Sequence, residues 1–330
     1  MRSLEAWIAP LHRRNAREPL TPEGPATYHQ LALPTLLITV VAMIKSIKEK
    51  IHAFLAYAAL RLKCMSLRVK CLRFPFHYLT YNRHKLENPP VFIVGCGHSG
   101  TSLLLAILGS HSKICAIPEE TRIAYNYITN TPVLSKEAEQ LIRYFDLLTI
   151  SENKKRWIEK TPKHIYSIPL LRKLFPGCKF IIIIRDGRDV ACSIEARYGS
   201  LGDGINRWID DNRAGEPFWK DTDVHVLKYE DIIENFSESI RGTLNFMGED
   251  FEEQVLHSHE KPKYYYSKKI EKPPDTSQAH HAQYRNWQIN QKLFDGRGKW
   301  RQLSDEKKTI IKKAAGDMLV EYGYTTDRNW

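Results

Sequence analysis

The feature that most constrains the fold is a series of short, uninterrupted apolar runs that begins near residue 90. Residues 179–184 (KFIIII) form the most apolar of these runs, and residues 90–94 (PVFIV) form another. Strands that are apolar at successive positions are buried on both faces, which is typical of a parallel sheet covered by helices. The sequence therefore predicts an α/β fold with a P-loop-like central parallel sheet and helices on both faces.

In a sheet of this kind, ligands bind beyond the carboxyl ends of the strands. The same sequence patterns predict the remaining strands and helices. Short strands are predicted at 156–159 and 224–228, and helices at 102–108, 168–175, 188–198, 231–247 and 304–322.

The positive charge lies mainly outside this region. The chain of 330 residues has a formal net charge of +11, and residues 1–90 contain 14 Lys and Arg against 5 Asp and Glu. Because the rest is almost balanced, the charge favours membrane contact over binding of nucleic acid. We therefore divide the chain into a basic leader with an apolar helical segment at 1–88, and an α/β domain at 89–330.

The N-terminal segment leaves two interpretations open. Residues 31–44 are apolar and uncharged, but as a helix they would span only about 21 Å of a hydrocarbon core that is about 30 Å thick. Residues 31–73 either lie on an anionic membrane surface as helices or pack on the core as a helical hairpin.

The six cysteines form no Cys-x-x-Cys pair and no cluster with histidine. This usage favours free thiols in a reducing compartment and predicts a cytoplasmic protein, with association to a membrane through the N-terminal segment left open. His280 and His281 lack the neighbours of a metal site, so we predict no metal.

A glycine-rich loop follows the first predicted strand. Residues 95–102 (GCGHSGTS) stand between a strand and a helix, where backbone N–H groups and the helix dipole bind phosphate. ATPases, GTPases and nucleotide kinases carry a lysine at the position where this chain has Thr101. The absence of this lysine disfavours all three classes. A glycine-rich turn without a ligand is the alternative.

A second anion-binding segment follows the strand at 179–184. Residues 185–193 (RDGRDVACS) place Arg185, Arg188 and Ser193 at another junction of strand and helix, where guanidinium groups bind phosphate oxygens. Two separate anion sites indicate a ligand with phosphate at both ends, and a surface salt-bridge cluster is the alternative.

These two segments, together with residues 227–231 (LKYED), resemble the sulfotransferase superfamily. Residues 119–122 (EETR), 159–162 (EKTP) and 174–180 (LFPGCKF) are closest to tyrosylprotein sulfotransferases and related bacterial-type enzymes. The resemblance covers about residues 90–322. It implies 3'-phosphoadenosine 5'-phosphosulfate as the donor, with its 5'-phosphosulfate in the first loop and its 3'-phosphate at the second segment.

The resemblance also implies the residues that contact this donor. They are Gly97, His98, Ser99, Gly100, Thr101 and Ser102 in the loop, Arg185, Ser193 and Arg197 after the strand at 179–184, and Tyr229, Ser267 and Lys299. For Arg197, Tyr229, Ser267 and Lys299, an ordinary core or surface role is the alternative.

Sulfuryl transfer requires a base for the acceptor and a cation for the leaving group. The resemblance makes Glu120 the base and Lys160 the cation, while a helix-capping acid and a surface lysine are the alternatives. His98, a third catalytic candidate, departs from the family, which carries Arg or Lys there. A neutral imidazole offers one donor, so His98 would need an adjoining anion to keep it protonated.

The predicted function is sulfuryl transfer to a hydroxyl or amine of a small molecule, lipid or glycan. A protein-tyrosine acceptor, with Arg122 attracting acidic residues beside the target, is the alternative. A membrane-bound protein that binds the nucleotide without catalysis is a second alternative. A second copy of the chain, as in a homodimer, is a further candidate partner.

Overall fold

The computed structural model describes residues 86–118, 120–121, 133–274 and 280–330. Most of the predicted N-terminal segment, including 31–73, lies outside the described residues, so its relation to a membrane and the domain boundary at 88 stay predictions. Within the described residues, no helix is long and apolar enough to cross a membrane.

The predicted parallel sheet is confirmed, with strand order β2-β3-β1-β4-β5. Its strands are β1 (Val91–Gly95), β2 (Ile114–Ile117), β3 (Arg156–Lys160), β4 (Lys179–Ile184) and β5 (Val224–Lys228). The sequence analysis missed β2, which has only four residues and lies at an edge of the sheet.

Helices connect the strands and follow the last one. They are α1 (Thr101–Leu108), α2 (Val133–Ser151), α3 (Ile168–Leu174), α4 (Gly187–Tyr198), α5 (Leu201–Gly215), α6 (Tyr229–Glu234), α7 (Phe236–Met247), α8 (His281–Gln288) and α9 (Asp305–Glu321).

The prediction of one helix over 231–247 is wrong. The chain forms α6 and α7 instead, because Asn235 leaves the helical region with φ −130° and ψ 55°. Asparagine is a poor residue for a helix interior, since its short polar side chain competes for backbone groups. Ser239 Oγ donates to the carbonyl of Asp231 across this break, at 2.9 Å.

Both faces of the sheet are buried. Phe92 and Val94 of β1 pack on one face with α2 and α3, whereas Val91 and Ile93 pack on the other with α1, α6 and α7. A third cluster joins α4, α5 and α9. Because β3, β1 and β4 are adjacent and parallel, their carboxyl ends bring Lys160, the glycine-rich loop and Arg185 to one edge of the sheet.

Candidate active site

A cavity of about 700 Å³ lies at this edge. Most of the residues predicted from separate segments of the sequence line it. They are Gly97, His98, Gly100, Thr101, Ser102, Glu120, Lys160, Arg185, Ser193, Arg197, Tyr229 and Lys299.

The glycine-rich loop is shaped by close approaches that exclude side chains. A Cβ atom on Gly95 would lie 2.4 Å from the carbonyl oxygen of Ile183, and one on Gly100 would lie 2.8 Å from the ring of Tyr229. Both glycines also have positive φ, at 134° and 98°. Because α1 begins at Thr101 and Gly100 adds no side-chain cap, the first N–H groups of the helix are available to an anion.

The two predicted anion-binding segments are in contact with each other. His98 Nδ1 and Ser193 Oγ form a hydrogen bond of 2.9 Å, and Arg185 Nη1 donates to the carbonyl of His98 at 3.1 Å. The two segments therefore adjoin each other in the wall of one cavity, and the binding of a separate anionic group by each segment stays a prediction.

His98 is held neutral by its surroundings. Burial lowers its pKa to about 3, and the positive charges of Arg207, Arg197, Arg285 and Arg185 act in the same direction. None of these described neighbours keeps the imidazole protonated, whereas a bound anion would favour its protonated form.

Arg185 joins three parts of the cavity wall. Its guanidinium lies over the ring of Tyr229, with Cζ 4.3 Å from the ring centroid, and its Nη2 donates to the carbonyl of Gly296 at 2.7 Å. Arg185 thus links β4, α6 and the loop that carries Lys299.

Arg188, by contrast, does not line the cavity. Its guanidinium contacts the rings of both Trp300 and Trp330, with Cζ 3.9 and 4.7 Å from their centroids, and donates to Asp186 and to the carbonyl of Tyr324. The first turn of α4 directs it away from the cavity, so the predicted phosphate contact of Arg188 is replaced by anchoring of the C-terminal segment.

Glu120 and Lys160 form an ion pair in the same cavity. Lys160 Nζ donates to Glu120 Oε1 at 2.7 Å, and Lys160 is only 1% exposed. Arg285 of α8 makes a second contact with the same oxygen, at 3.3 Å. A carboxylate and a buried cation therefore stand together beside the phosphate loop.

Buried Glu159 holds both members of this pair in place through their neighbours. Its Oε1 accepts hydrogen bonds from the backbone N–H and the hydroxyl of Thr121, each 3.0 Å long, and from the hydroxyl of Thr161. Its Oε2 lies 3.1 Å from His164 Nδ1. Burial raises the pKa of Glu159, but the contacts with His164, Thr161 and Thr121 lower it by more. The pKa of Glu159 therefore lies below its usual range.

Comparison with known proteins assigns the family. A sequence model of the sulfotransferase family matches residues 89–145 and 129–253, which together cover half of the chain. The chain belongs to the sulfotransferase family. This confirms the resemblance seen in the sequence.

Relatives of the sulfotransferase include enzymes that act on protein tyrosine. Protein-tyrosine sulfotransferase 2 of Gallus gallus is 26% identical over 212 residues, covering 54% of this chain and 56% of the relative. Protein-tyrosine sulfotransferase 1 of Homo sapiens is 30% identical over 165 residues, covering 42% and 43%. The chain thus spans about half the length of these relatives.

Solved structures of sulfotransferases match the chain at lower sequence identity. Mouse sulfotransferase SULT7A1, complexed with PAP, is 17% identical with a TM-score of 0.45, covering 71% of this chain and 89% of that one. The sulfotransferase domain of the Synechococcus PCC 7002 olefin synthase is 18% identical with a TM-score of 0.44, covering 71% and 98%.

Two further predicted residues of the described chain, Ser99 and Ser267, do not line the cavity. Ser99 is fully buried within the loop. The hydroxyl of Ser267 accepts from the N–H of Lys269 at 3.1 Å, and its neighbour Tyr266 instead lies over Lys160, 5.6 Å from Nζ to the ring centroid. Arg122 lies outside the described residues, so its acceptor-binding role stays a prediction.

The sequence analysis missed several cavity residues. Arg207 and Lys163 line the cavity and both bond to buried Asp211, at 3.2 and 2.9 Å. The spacing of four residues between Arg207 and Asp211 is a signal that could have been used. Arg285 lies on α8, for which the sequence carries no clear periodicity. The described residues contain no group of three or more His, Cys, Asp or Glu that could hold a metal.

Proposed function

We propose that this sulfotransferase moves a sulfuryl group from 3'-phosphoadenosine 5'-phosphosulfate to a hydroxyl or amine of a small molecule, lipid or glycan. The observation that carries the proposal is the ion pair of Glu120 and Lys160, 2.7 Å apart, in the cavity that the phosphate loop also lines. A base and a cation beside an anion-binding loop are the groups that an in-line transfer needs.

The cavity lining suits a donor with several negative charges. Its cations outnumber its carboxylates by seven to two: Lys160, Lys163, Arg185, Arg197, Arg207, Arg285 and Lys299 against Glu120 and Asp189.

Some polar atoms of this wall also lack partners within the described part of the chain. They are Arg185 Nε and Arg197 Nε and Nη1; the hydroxyl of Ser99, which does not line the cavity, lacks a partner as well. Buried polar atoms without partners are rare in proteins, and an anion would satisfy those that face the cavity. The residues present therefore fit the donor.

The loop N–H groups from 97 to 102, with Arg185, Ser193 and Arg197, would hold the anionic groups of the donor. When bound, this donor supplies a sulfuryl group whose transfer to an acceptor oxygen or nitrogen leaves adenosine 3',5'-bisphosphate. Glu120 accepts the proton of the acceptor group at a carboxylate oxygen, so the nucleophile gains electron density as it reacts. Lys160 donates from Nζ to the oxygen of the leaving nucleotide, where negative charge develops.

Two features shape the role of this pair. Because Lys160 is buried, its charge is screened less than that of a surface lysine. Because Arg285 also contacts Glu120 Oε1, two cations lie beside the carboxylate that takes the proton of the acceptor.

A protein-tyrosine acceptor is the second candidate, supported by the relatives from Gallus gallus and Homo sapiens. The preference for smaller acceptors rests on free cysteines, because Cys115 is buried and free, as are Cys96 and Cys178, and Cys192 is also free. We propose a reducing, cytoplasmic location on the same ground.

The test is transfer of radiolabelled sulfate from the donor by the purified full-length protein. Acceptor panels should contain phenols, lipids, glycans and tyrosine peptides with acidic flanks. We expect transfer to at least one non-peptide class, its loss in Glu120→Gln and Lys160→Met, and its retention in Glu271→Gln. Glu271 is a matched control because it is exposed and pairs only with Lys269 at the surface.

The outcomes separate the alternatives. Transfer to tyrosine peptides alone would favour the second candidate. Binding of adenosine 3',5'-bisphosphate without transfer to any acceptor would favour a nucleotide-binding protein that has lost catalysis. Binding of ATP that requires Mg²⁺, without binding of the bisphosphate, would overturn the assignment of the donor.

A further inference from the structure

The phosphate loop carries no charged side chain of its own. Residues 95–102 contain one titratable group that could be positive, His98, and its surroundings hold that imidazole neutral. Backbone N–H groups bind an anion, but they supply only partial charges. A full positive charge at this loop must therefore come from another element.

Arg207 of α5 reaches the loop from the side. A Cβ atom on Gly97 would lie 2.5 Å from Arg207 Nη2 and 3.1 Å from its Cζ, so the guanidinium lies directly against the backbone of Gly97. Gly97 does not have the positive φ of Gly95 and Gly100. Its lack of a side chain is therefore explained by the approach of Arg207 and not by the backbone conformation.

Asp211 orients the guanidinium from the buried side. Arg207 Nε donates to Asp211 Oδ2 at 3.2 Å, and Asp211 is fully buried. Within the described residues, Asp211 is the ion-pair partner of Arg207, and 30% of the arginine side chain is exposed where it lines the cavity. One edge of the guanidinium is thus fixed while the other faces the cavity.

We propose that Arg207 supplies the missing charge of the phosphate loop and binds the anionic 5' end of the donor. This inference rests on the proposed function, since it assigns one contact of the same donor. Arg207 acts here in place of a basic side chain within the loop, and Asp211 is its positioning residue. Its charge also acts on His98, where it is the strongest of the four nearby arginines.

The test compares two nucleotides by equilibrium binding. Adenosine 3',5'-bisphosphate has a phosphate at the 5' position, and adenosine 3'-monophosphate lacks it. We expect Arg207→Met to weaken binding of the bisphosphate by about tenfold to a hundredfold, because one hydrogen-bonded contact to a charged group is lost. Binding of the monophosphate should stay unchanged.

Arg213→Met is the matched control. Arg213 lies on the same helix and pairs with Glu216 and Glu321 at the surface, outside the cavity. The Arg213→Met variant loses one positive charge from α5, as Arg207→Met does, and we expect it to bind both nucleotides as tightly as the wild type. If Arg213→Met weakened the bisphosphate as much as Arg207→Met, the effect would be general electrostatics and the proposal would be overturned.

Two further variants separate a charge role from a structural one. Gly97→Ala should displace the flexible end of Arg207 and reproduce its selective loss of bisphosphate binding, with the thermal unfolding midpoint retained. His98→Arg, added to Arg207→Met, should restore much of the binding, because it returns a cation to the loop. Failure of this rescue, with unfolding of Arg207→Met at lower temperature, would show that Arg207 serves the fold instead.

The wild type distinguishes this inference from the proposed function. If the wild type binds neither nucleotide, the donor assignment itself fails. If it binds the bisphosphate and Arg207→Met binds it equally well, the donor assignment stands and the role of Arg207 is wrong.

Discussion

Glu159 gives the sharpest prediction about how the fold supports the reaction. Its carboxylate accepts from the backbone of Thr121, next to Glu120, and its own chain neighbour is Lys160. Replacing Glu159 should therefore disturb the geometry of the Glu120–Lys160 pair without touching the donor-binding loop.

The cost follows from the contacts. The N–H of Thr121 and Nδ1 of His164 both bond to a charged acceptor, and such bonds contribute about 1.5–3 kcal/mol each. Glu159→Met removes both and should lower the free energy of unfolding by about 3–6 kcal/mol. Glu159→Gln keeps one acceptor oxygen and should cost about 1–2 kcal/mol, which makes it the working variant.

The assay combines urea unfolding with steady-state kinetics at neutral pH. For Glu159→Gln we expect kcat to fall by about tenfold to a hundredfold while KM for the donor changes little, because misplacing a catalytic group affects the reacting geometry. Glu249→Gln is the control, since Glu249 is as deeply buried in its pair with Arg156 at the far end of β3. It should lose stability and keep kcat.

The pH dependence provides a second check. The lowered pKa of Glu159 means that its contribution to stability is fully present above about 4.5 and is lost as the pH falls through the lower pKa of the folded state. Glu159→Gln should therefore flatten the loss of stability in acid. The reasoning would be refuted if Glu159→Gln kept wild-type kcat, or if it lowered kcat no more than Glu249→Gln does.

Further predictions address Lys160, His98 and Arg188. Lys160→Met should lower turnover by about 100- to 1,000-fold, measured by single-turnover sulfate transfer, because no other group replaces a buried cation at the leaving oxygen; a loss confined to KM would contradict this role. The pKa of His98 is about 3 in the folded protein without ligand, whereas its ordinary value is about 6.5. As the pH falls, His98 is therefore protonated in the unfolded chain before it is protonated in the folded protein. The free energy of unfolding should decrease as the pH drops below about 6.5. An anionic nucleotide should raise that pKa, so calorimetry in buffers of different ionisation enthalpy should show proton uptake at mildly acidic pH, absent in His98→Gln. Arg188→Met should lower the free energy of unfolding, measured with urea, by about 3–5 kcal/mol, because it leaves the buried carboxylate of Asp186 without its ion-pair partner. An unchanged midpoint of urea unfolding would contradict the anchoring role of Arg188.

Much of the fold could be predicted because it depends on local patterns. The runs at 179–184 and 224–228 are apolar or β-prone along their whole length, and both strands begin and end where predicted. The break at Asn235 was harder to predict, because a single asparagine lowers helix propensity without forbidding a helix. Helix α8 carries mostly polar and aromatic residues, and its place in the fold depends on contacts with distant segments.

The candidate site divides in the same way. The loop at 95–102 and Arg185 each follow an apolar strand directly. Because the strands are parallel, residues that follow them lie at the carboxyl edge of the sheet. Arg188 was expected beside Arg185, yet the turn of α4 directs its side chain to Trp300 and Trp330. Arg185 precedes α4 and Arg188 lies in its first turn, so spacing alone does not determine which packing partners each side chain meets.

The sequence by itself determined the parallel sheet, the phosphate loop and the family, because each depends on residues that are close together in the chain. Only the tertiary structure decided which cations surround the loop. Arg207 and Arg285 come from helices far along the chain, and they reach the cavity because α5 and α8 pack beside the strand ends. Charge at a site adds up over all elements that face it, and that set is defined by folding in three dimensions.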